Sequence, residues 1–391
     1  MLTDAQIAII KATAPAVAAN ATAITGTFYP LMFSRFPEVR TVFNQSHQRG
    51  GAQPQALANA IIAYASNIDN LAVLGEAVRR IVEKHVSLNI TAEQYDIVGT
   101  CLMEAIGTVL GDAVTPEVAD AWGAAYWQLA HILIAAEEAE YQRKAAVPGG
   151  WRGPRTVRVV RKQPESAVIT SFWLEPVDGG PLMDFQPGQY IGLKLVIDGE
   201  TLHRNYSLSD SPNGRSYRIS VKREPEGQAS VYLHDRVQEG DTFDIYPPAG
   251  EFTLQEGADP VVLLTAGVGQ TPALSMLDKA AAEGRPVIYL HAALNGKVHA
   301  FRDRVDAIVA RAPQVRRAYI YSEPHADDAP DHVGFVTPDL LEQYLPANRA
   351  ADVYFLGPKP FMRSVRQSLR DLGVADARVR YEFFGPLEAL D

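Results

Sequence analysis

The chain has 391 residues, with 36 lysines and arginines against 46 aspartates and glutamates, a formal net charge of −10. Apolar residues make up 47% and charged ones 21%, which excludes a disordered chain and leaves length enough for two or three cores. The acidic balance offers no basic face for nucleic acid or an anionic membrane. A single cysteine, Cys101, excludes an intramolecular disulfide framework and cysteine-ligated zinc or iron–sulfur centres. Together with an N-terminus unlike a signal peptide, it points to the cytoplasm.

Residues 12–34 carry no charge, but Pro15, Asn20, Gly26 and Pro30 fall within them. These favour a buried helix pair over a transmembrane segment. Residues 1–147 form one expected all-α domain, alanine-rich, with Ile61, Tyr64, Ile68 and Leu71 at helical spacing. Thr115 is an expected N-cap with Pro116 in the first turn, opening a helix through Trp122, Tyr126, Leu129 and Leu133 to about Tyr141. Pro148, Gly149, Gly150, Gly153 and Pro154 read as a linker.

Across 148–257 the pattern changes to short strands: 157–160, 168–174, 190–196, 217–221 and 243–246. Gly179-Gly180, Pro187-Gly188, Asp198-Gly199 and Asn213-Gly214 supply the turns between them, which predicts a small antiparallel β-barrel. Across 258–391, apolar runs at 261–264, 287–290, 318–321 and 353–356 alternate with helical segments at 273–282, 300–310 and 361–369. That alternation predicts an α/β domain with a parallel sheet covered on both faces.

Three motifs in the second half carry chemistry. Gly267-Val268-Gly269-Gln270-Thr271-Pro272 follows the first buried strand; its glycines allow backbone to approach a phosphate at a helix N-terminus. Arg204-Asn205-Tyr206-Ser207 offers a cation, a ring and a hydroxyl within one short segment, and Gly357-Pro358 closes the last apolar run. Each alone is commonplace. In their chain order, Arg204–Ser207, then Gly267–Pro272, then Gly357-Pro358, they resemble the ferredoxin–NADP-reductase-like superfamily over about residues 155–391. The resemblance implies that Tyr190, Arg204, Asn205, Tyr206 and Ser207 bind FAD. It also implies that Gly267 to Pro272, with Gly357 and Pro358, bind NAD(P). The C-terminal Glu382-Phe383-Phe384-Gly385-Pro386 resembles the segment that sets an aromatic, here Phe384, against the flavin. Many relatives carry a glycine where this chain has Ala266. After the second strand, Ala292-Ala293-Leu294-Asn295-Gly296 holds neither a ribose-reading acid nor an arginine, so NADH and NADPH both stay open.

No cysteine pair precedes a histidine, so any haem is held non-covalently. Residues 1–147 resemble the globins of the flavohaemoglobin family along their whole length. The resemblance makes His85 the ligand of haem b iron, Tyr29 the distal tyrosine, and Phe43, Gln53, Leu57 and Lys84 haem-pocket residues. Tyr95 and Glu137 become the hydrogen-bond partners of His85. The implied activity is nitric oxide dioxygenation: NAD(P)H, FAD and haem in series, converting NO and O2 to nitrate without an obligate protein partner. An alternative is an oxygen carrier or sensor kept ferrous by its own reductase.

Overall fold

The computed structural model describes residues 2–42 and 52–384, with backbone alone at 52–56. Six α-helices lie among the described residues of the first region: α1 (Asp4–Ala19), α2 (Ala21–Arg35), α3 (Ala52–Ser66), α4 (Gly75–Val86), α5 (Ala92–Leu110) and α6 (Pro116–Ala146). Thr3 and Thr91 open α1 and α5 with reciprocal capping boxes, and Thr115 accepts the Val118 N–H at the start of α6. The uncharged stretch forms α1 and α2, bent 82° to one another, and no single helix is long and apolar enough to cross a membrane. α2 packs on α3 and α5, and α1 on α6. Two expectations need adjusting. Ile68 and Leu71 lie beyond the end of α3, Leu71 in a 3-10 turn at Leu71–Leu74, and α6 runs past Tyr141 to Ala146.

The second region is a six-stranded antiparallel sheet: β1 (Arg155–Pro164), β2 (Ile169–Pro176), β3 (Tyr190–Ile197), β4 (Glu200–Ser207), β5 (Tyr217–Lys222) and β6 (Thr242–Ile245). The order is β4-β3-β6-β1-β2-β5, and a Leu208–Ile219 bridge joins the outer two strands into a barrel. Asp198 (φ 52°) and Gly199 (φ 86°) make the two-residue β3–β4 hairpin, since both central positions need positive φ. Sequence periodicity missed β4 and helix α7 (Gln228–Asp235). β4 is polar at most positions, so it lacks the apolar alternation that marks a strand. The glycine-rich segment before β1 is no loose linker. A Cβ on Gly150 would lie 2.0 Å from the Lys144 carbonyl oxygen, and one on Gly149 2.6 Å from the Leu182 backbone.

The third region is an all-parallel sheet in the order β10-β9-β8-β7-β11-β12. Its strands are β7 (Val261–Ala266), β8 (Val287–Ala293), β9 (Val315–Tyr321), β10 (His332–Val333), β11 (Asp352–Leu356) and β12 (Val379–Tyr381). Helices α8 (Gln270–Ala282) and α9 (Arg302–Arg311) cover one face. Helices α10 (Pro338–Tyr344) and α11 (Lys359–Asp371) cover the other. Tyr289, Tyr319, Leu274 and Val305 pack in the first layer, and Val262, Phe355, Met362 and Val365 in the second. Strand order reverses between β7 and β11, the crevice where open α/β sheets bind ligands. The short β10, α10 and β12 carried too little periodicity to be predicted.

Candidate functional site

The amphipathic helix α4 buries Val82 and Val86 and carries Lys84 and His85 in its last turn, where the Lys84 ammonium suits the helix dipole. His85 Nδ1 lies 2.7 Å from Glu137 Oε1 and 2.9 Å from the Tyr95 hydroxyl, which itself donates to Glu137 Oε1 at 2.5 Å. Glu137 is 2% exposed and Tyr95 7%, and burial, reinforced by Glu137, pushes the Tyr95 phenol well above its usual range. The carboxylate can only accept, so His85 donates from Nδ1 and presents Nε2 as a free lone pair. Tyr126 donates to the Tyr95 carbonyl at 2.6 Å, fixing the helix that carries Tyr95.

The core of the helical region divides into two apolar clusters. Phe28, Tyr29 and Met32 lie in one, with Leu57 packed against it; Val82, Val86, Tyr95 and Leu133 lie in the other. Tyr29 is 6% exposed, edge-on to Phe28 with ring centres 4.8 Å apart. This donor set fits a haem: an imidazole with one nitrogen anchored and the other open, and a buried phenol in the other apolar cluster. Gln53 lies on α3, but its side chain is outside the described residues, as is Phe43.

β4 carries the second group. Arg204 is half-buried, its guanidinium donates to the His203 carbonyl at 2.8 Å, and no carboxylate among the described residues pairs with it. Burial pulls its pKa down. A half-buried cation without a protein anion fits a pyrophosphate. Asn205 donates to Ser87 Oγ at 3.0 Å, while its buried Oδ1 has no protein partner among the described residues, a second position fitted to a flavin. Burial pushes the Tyr206 and Tyr190 phenols up. Ser207 is 6% exposed at the end of the strand.

Lys84 Nζ stands 5.7 Å from the Tyr190 ring centre. Burial raises the Glu382 carboxyl to about 7, partly offset by Lys84, while burial lowers Lys84 itself. Helical domain, barrel and C-terminal segment therefore come together around Lys84, Tyr190 and Glu382, where Lys84 and Glu382 influence each other electrostatically. Phe383 packs on the α11 side of the parallel sheet and Phe384 is 51% exposed; Gly385 and Pro386 lie outside the described residues.

At the switch point, Gly267 takes φ 55°, and Gly269 approaches β11 so closely that a Cβ would sit 2.3 Å from the Leu356 carbonyl oxygen. Gln270, Thr271 and Pro272 are buried in the first turn of α8, and Val268 is half-buried. A Cβ on Gly357 would lie 2.9 Å from the Ala266 Cβ, so Ala266 is tolerated because its neighbour is a glycine. Pro358 is exposed beside it. A tight turn feeding a helix N-terminus fits a dinucleotide phosphate.

Sequence reasoning missed the residues that join the regions. Lys144, 1% exposed, donates to the Pro248 carbonyl at 2.6 Å and faces Glu83 and Glu140 at 3.4 Å. Glu83 accepts the Gly250 N–H at 2.8 Å. His203, beside the expected flavin motif, bonds to the Thr41 carbonyl. A charged residue near a helix end carries no mark of burial, so no local signal identifies these.

Family models match in chain order: globin over residues 26–133, oxidoreductase FAD-binding domain over 157–254, and oxidoreductase NAD-binding domain over 263–367. Curated relatives named flavohemoprotein from Pseudomonas aeruginosa and Burkholderia sp. are 55% and 53% identical, each alignment covering 100% of both chains. A crystal structure of flavohemoglobin from Malassezia yamatoensis with bound FAD and heme superposes with a TM-score of 0.87 at 29% identity, covering 98% of this chain and 100% of that one. The FAD/NAD-binding domain of nitric oxide dioxygenase from Vibrio cholerae superposes with a TM-score of 0.56 at 42% identity, covering 60% of this chain and 100% of that one. An anchored imidazole, a barrel-strand arginine with no carboxylate partner among the described residues and a glycine turn at a sheet switch point thus occur in the matched domain order, and the chain belongs to the flavohemoprotein family of haem-, FAD- and NAD-dependent oxidoreductases.

Proposed function

We propose that the chain is an NAD(P)H-dependent nitric oxide dioxygenase, with domain boundaries at 147/148 and 257/258. Conversion of NO and O2 to nitrate consumes one electron, so one NAD(P)H serves two turnovers. When bound, haem supplies oxygen binding and one-electron chemistry, and FAD divides a hydride pair into single electrons. The protein's part is positioning and electrostatics. His85 would hold the haem through Nε2, and the hydrogen bond its Nδ1–H donates to Glu137 would make the imidazole a stronger electron donor. Tyr95 fixes the Glu137 carboxylate by donating to it. Tyr29, buried in the other apolar cluster, would serve as a phenol hydrogen-bond donor of the haem pocket. Tyr190, Arg204, Asn205, Tyr206 and Ser207 would hold the flavin, together with Glu382, Phe383, Phe384, Gly385 and Pro386. Gly267 to Pro272, with Gly357 and Pro358, hold the dinucleotide.

The observation that carries the reading is the buried Glu137–Tyr95–His85 chain. A reversible oxygen carrier has no use for a carboxylate pushing electron density into its ligand. The test is aerobic NO consumption by the purified protein with NADH, with nitrate measured as product. Stoichiometric nitrate is expected; NADH oxidation that leaves NO loss unaccelerated overturns the proposal.

A further inference from the structure

β4 presents different chemistry on its two faces, because alternate residues of a strand point oppositely. Arg204 and Tyr206 share one face; His203 and Asn205 share the other. That second face lies against the helical domain. Gly192, paired with Asn205 across β3, comes so close that a Cβ would sit 2.1 Å from the Ser87 carbonyl oxygen. Asn205 donates to Ser87 Oγ at 3.0 Å, two residues beyond His85. His203, 9% exposed, lies 2.9 Å through Nδ1 from the Thr41 carbonyl oxygen in the 3-10 turn Pro37–Val42. Its Nε2 is 3.1 Å from the Tyr246 hydroxyl, and the two rings stack with centres 5.6 Å apart at 28°. The Thr41 carbonyl can only accept, so Nδ1 carries the proton and Nε2 accepts from Tyr246.

We infer that His203 is an interdomain positioning residue: its Nδ1–H clamps the Pro37–Val42 turn onto the strand that carries the flavin motif, fixing the flavin relative to the haem. The clamp complements Asn205, which grips the His85 side of the same domain. One strand thus holds the helical domain at two separated points, at Thr41 and at Ser87. Neither bond touches a reacting atom. Their effect is to restrict rocking of one domain on the other, and displacements near 1 Å can cost about a hundredfold in rate. The inference rests on the reading that electrons pass from flavin to haem within this chain.

The test separates the two ring nitrogens. In His203→Asn the amide N–H falls near Nδ1 and retains the Thr41 bond; in His203→Gln the amide reaches toward Tyr246 and loses it. Fully loaded protein is mixed with NADH, and flavin bleaching and haem reduction are followed separately. Hydrogen exchange is measured across residues 37–42. Flavin bleaching is expected within about twofold of native in both variants. His203→Gln should slow haem reduction about tenfold or more and speed exchange at 37–42, while His203→Asn stays near native on both measures. Equal behaviour of the two variants, or parallel slowing of flavin bleaching and haem reduction, overturns the clamp. Failure of the native protein to reduce its haem would instead overturn the electron-transfer reading.

Discussion

At the scale of single residues, the buried carboxylates decide most. Glu137 has two hydrogen-bond donors and little solvent. Glu137→Gln keeps the shape and removes the charge. Altered partners of a metal-bound imidazole lower activity by about 10–100-fold, so turnover of NO should fall by that range while the haem absorption band persists. Unchanged turnover would show that the charge does not matter. Glu382 makes a pH prediction. Burial raises its carboxyl to about 7 from an ordinary 4.5. A group whose folded value lies above its unfolded one adds stability that is complete below about 4.5 and lost as pH rises through about 7. The melting temperature of the native protein should therefore drop relative to Glu382→Gln between roughly pH 5 and pH 8. A difference that stays flat across that window counts against a buried, neutral Glu382.

At the scale of elements, the glycine turn after β7 is the sharpest case. Gly269 has no room for a Cβ, because backbone rather than a movable side chain occupies the space. Gly269→Ala should push the turn off β11 and cost about 1–3 kcal/mol of stability, with a raised KM for NADH. Thermal melts and steady-state kinetics check both. Here motif and structure agree, since close approach is the physical reason for the glycine. β4 is the contrary case: its motif was legible, but its strand was not. Burial of a polar strand comes from neighbours at both sides, which local periodicity cannot register.

Across the whole molecule, the domains are joined by buried polar contacts. Lys144 sits where the end of α6 meets the barrel, its ammonium held by the Pro248 carbonyl and two glutamates. Lys144→Met leaves Glu83 and Glu140 without their buried cation. Breaking such a group costs about 3–5 kcal/mol, so unfolding should begin at lower denaturant and lose coincidence between helical and flavin signals. A single unchanged transition would place the domain contact elsewhere. Gly192→Ala, with the Ser87 carbonyl in its path, should slow haem reduction more than flavin reduction in rapid mixing. Equal slowing of both steps would locate the damage inside the barrel.

The sequence alone determined the three-part order and the helical, antiparallel and alternating character of the parts, while the residues expected to touch haem, flavin and dinucleotide came from resemblance to known families. It could do so because helical and strand periods differ, glycine marks close backbone approach, and cofactor motifs are short and contiguous. What only the tertiary structure decided lies between elements distant in the chain. Glu137 and Tyr95 converge on one nitrogen of His85, leaving the other open. Lys84, Tyr190 and Glu382 come from three separate regions and meet at one place. His203 spans to Thr41 across 162 positions. Such contacts depend on how whole domains pack, and their energy comes from desolvation and geometry that no local pattern encodes.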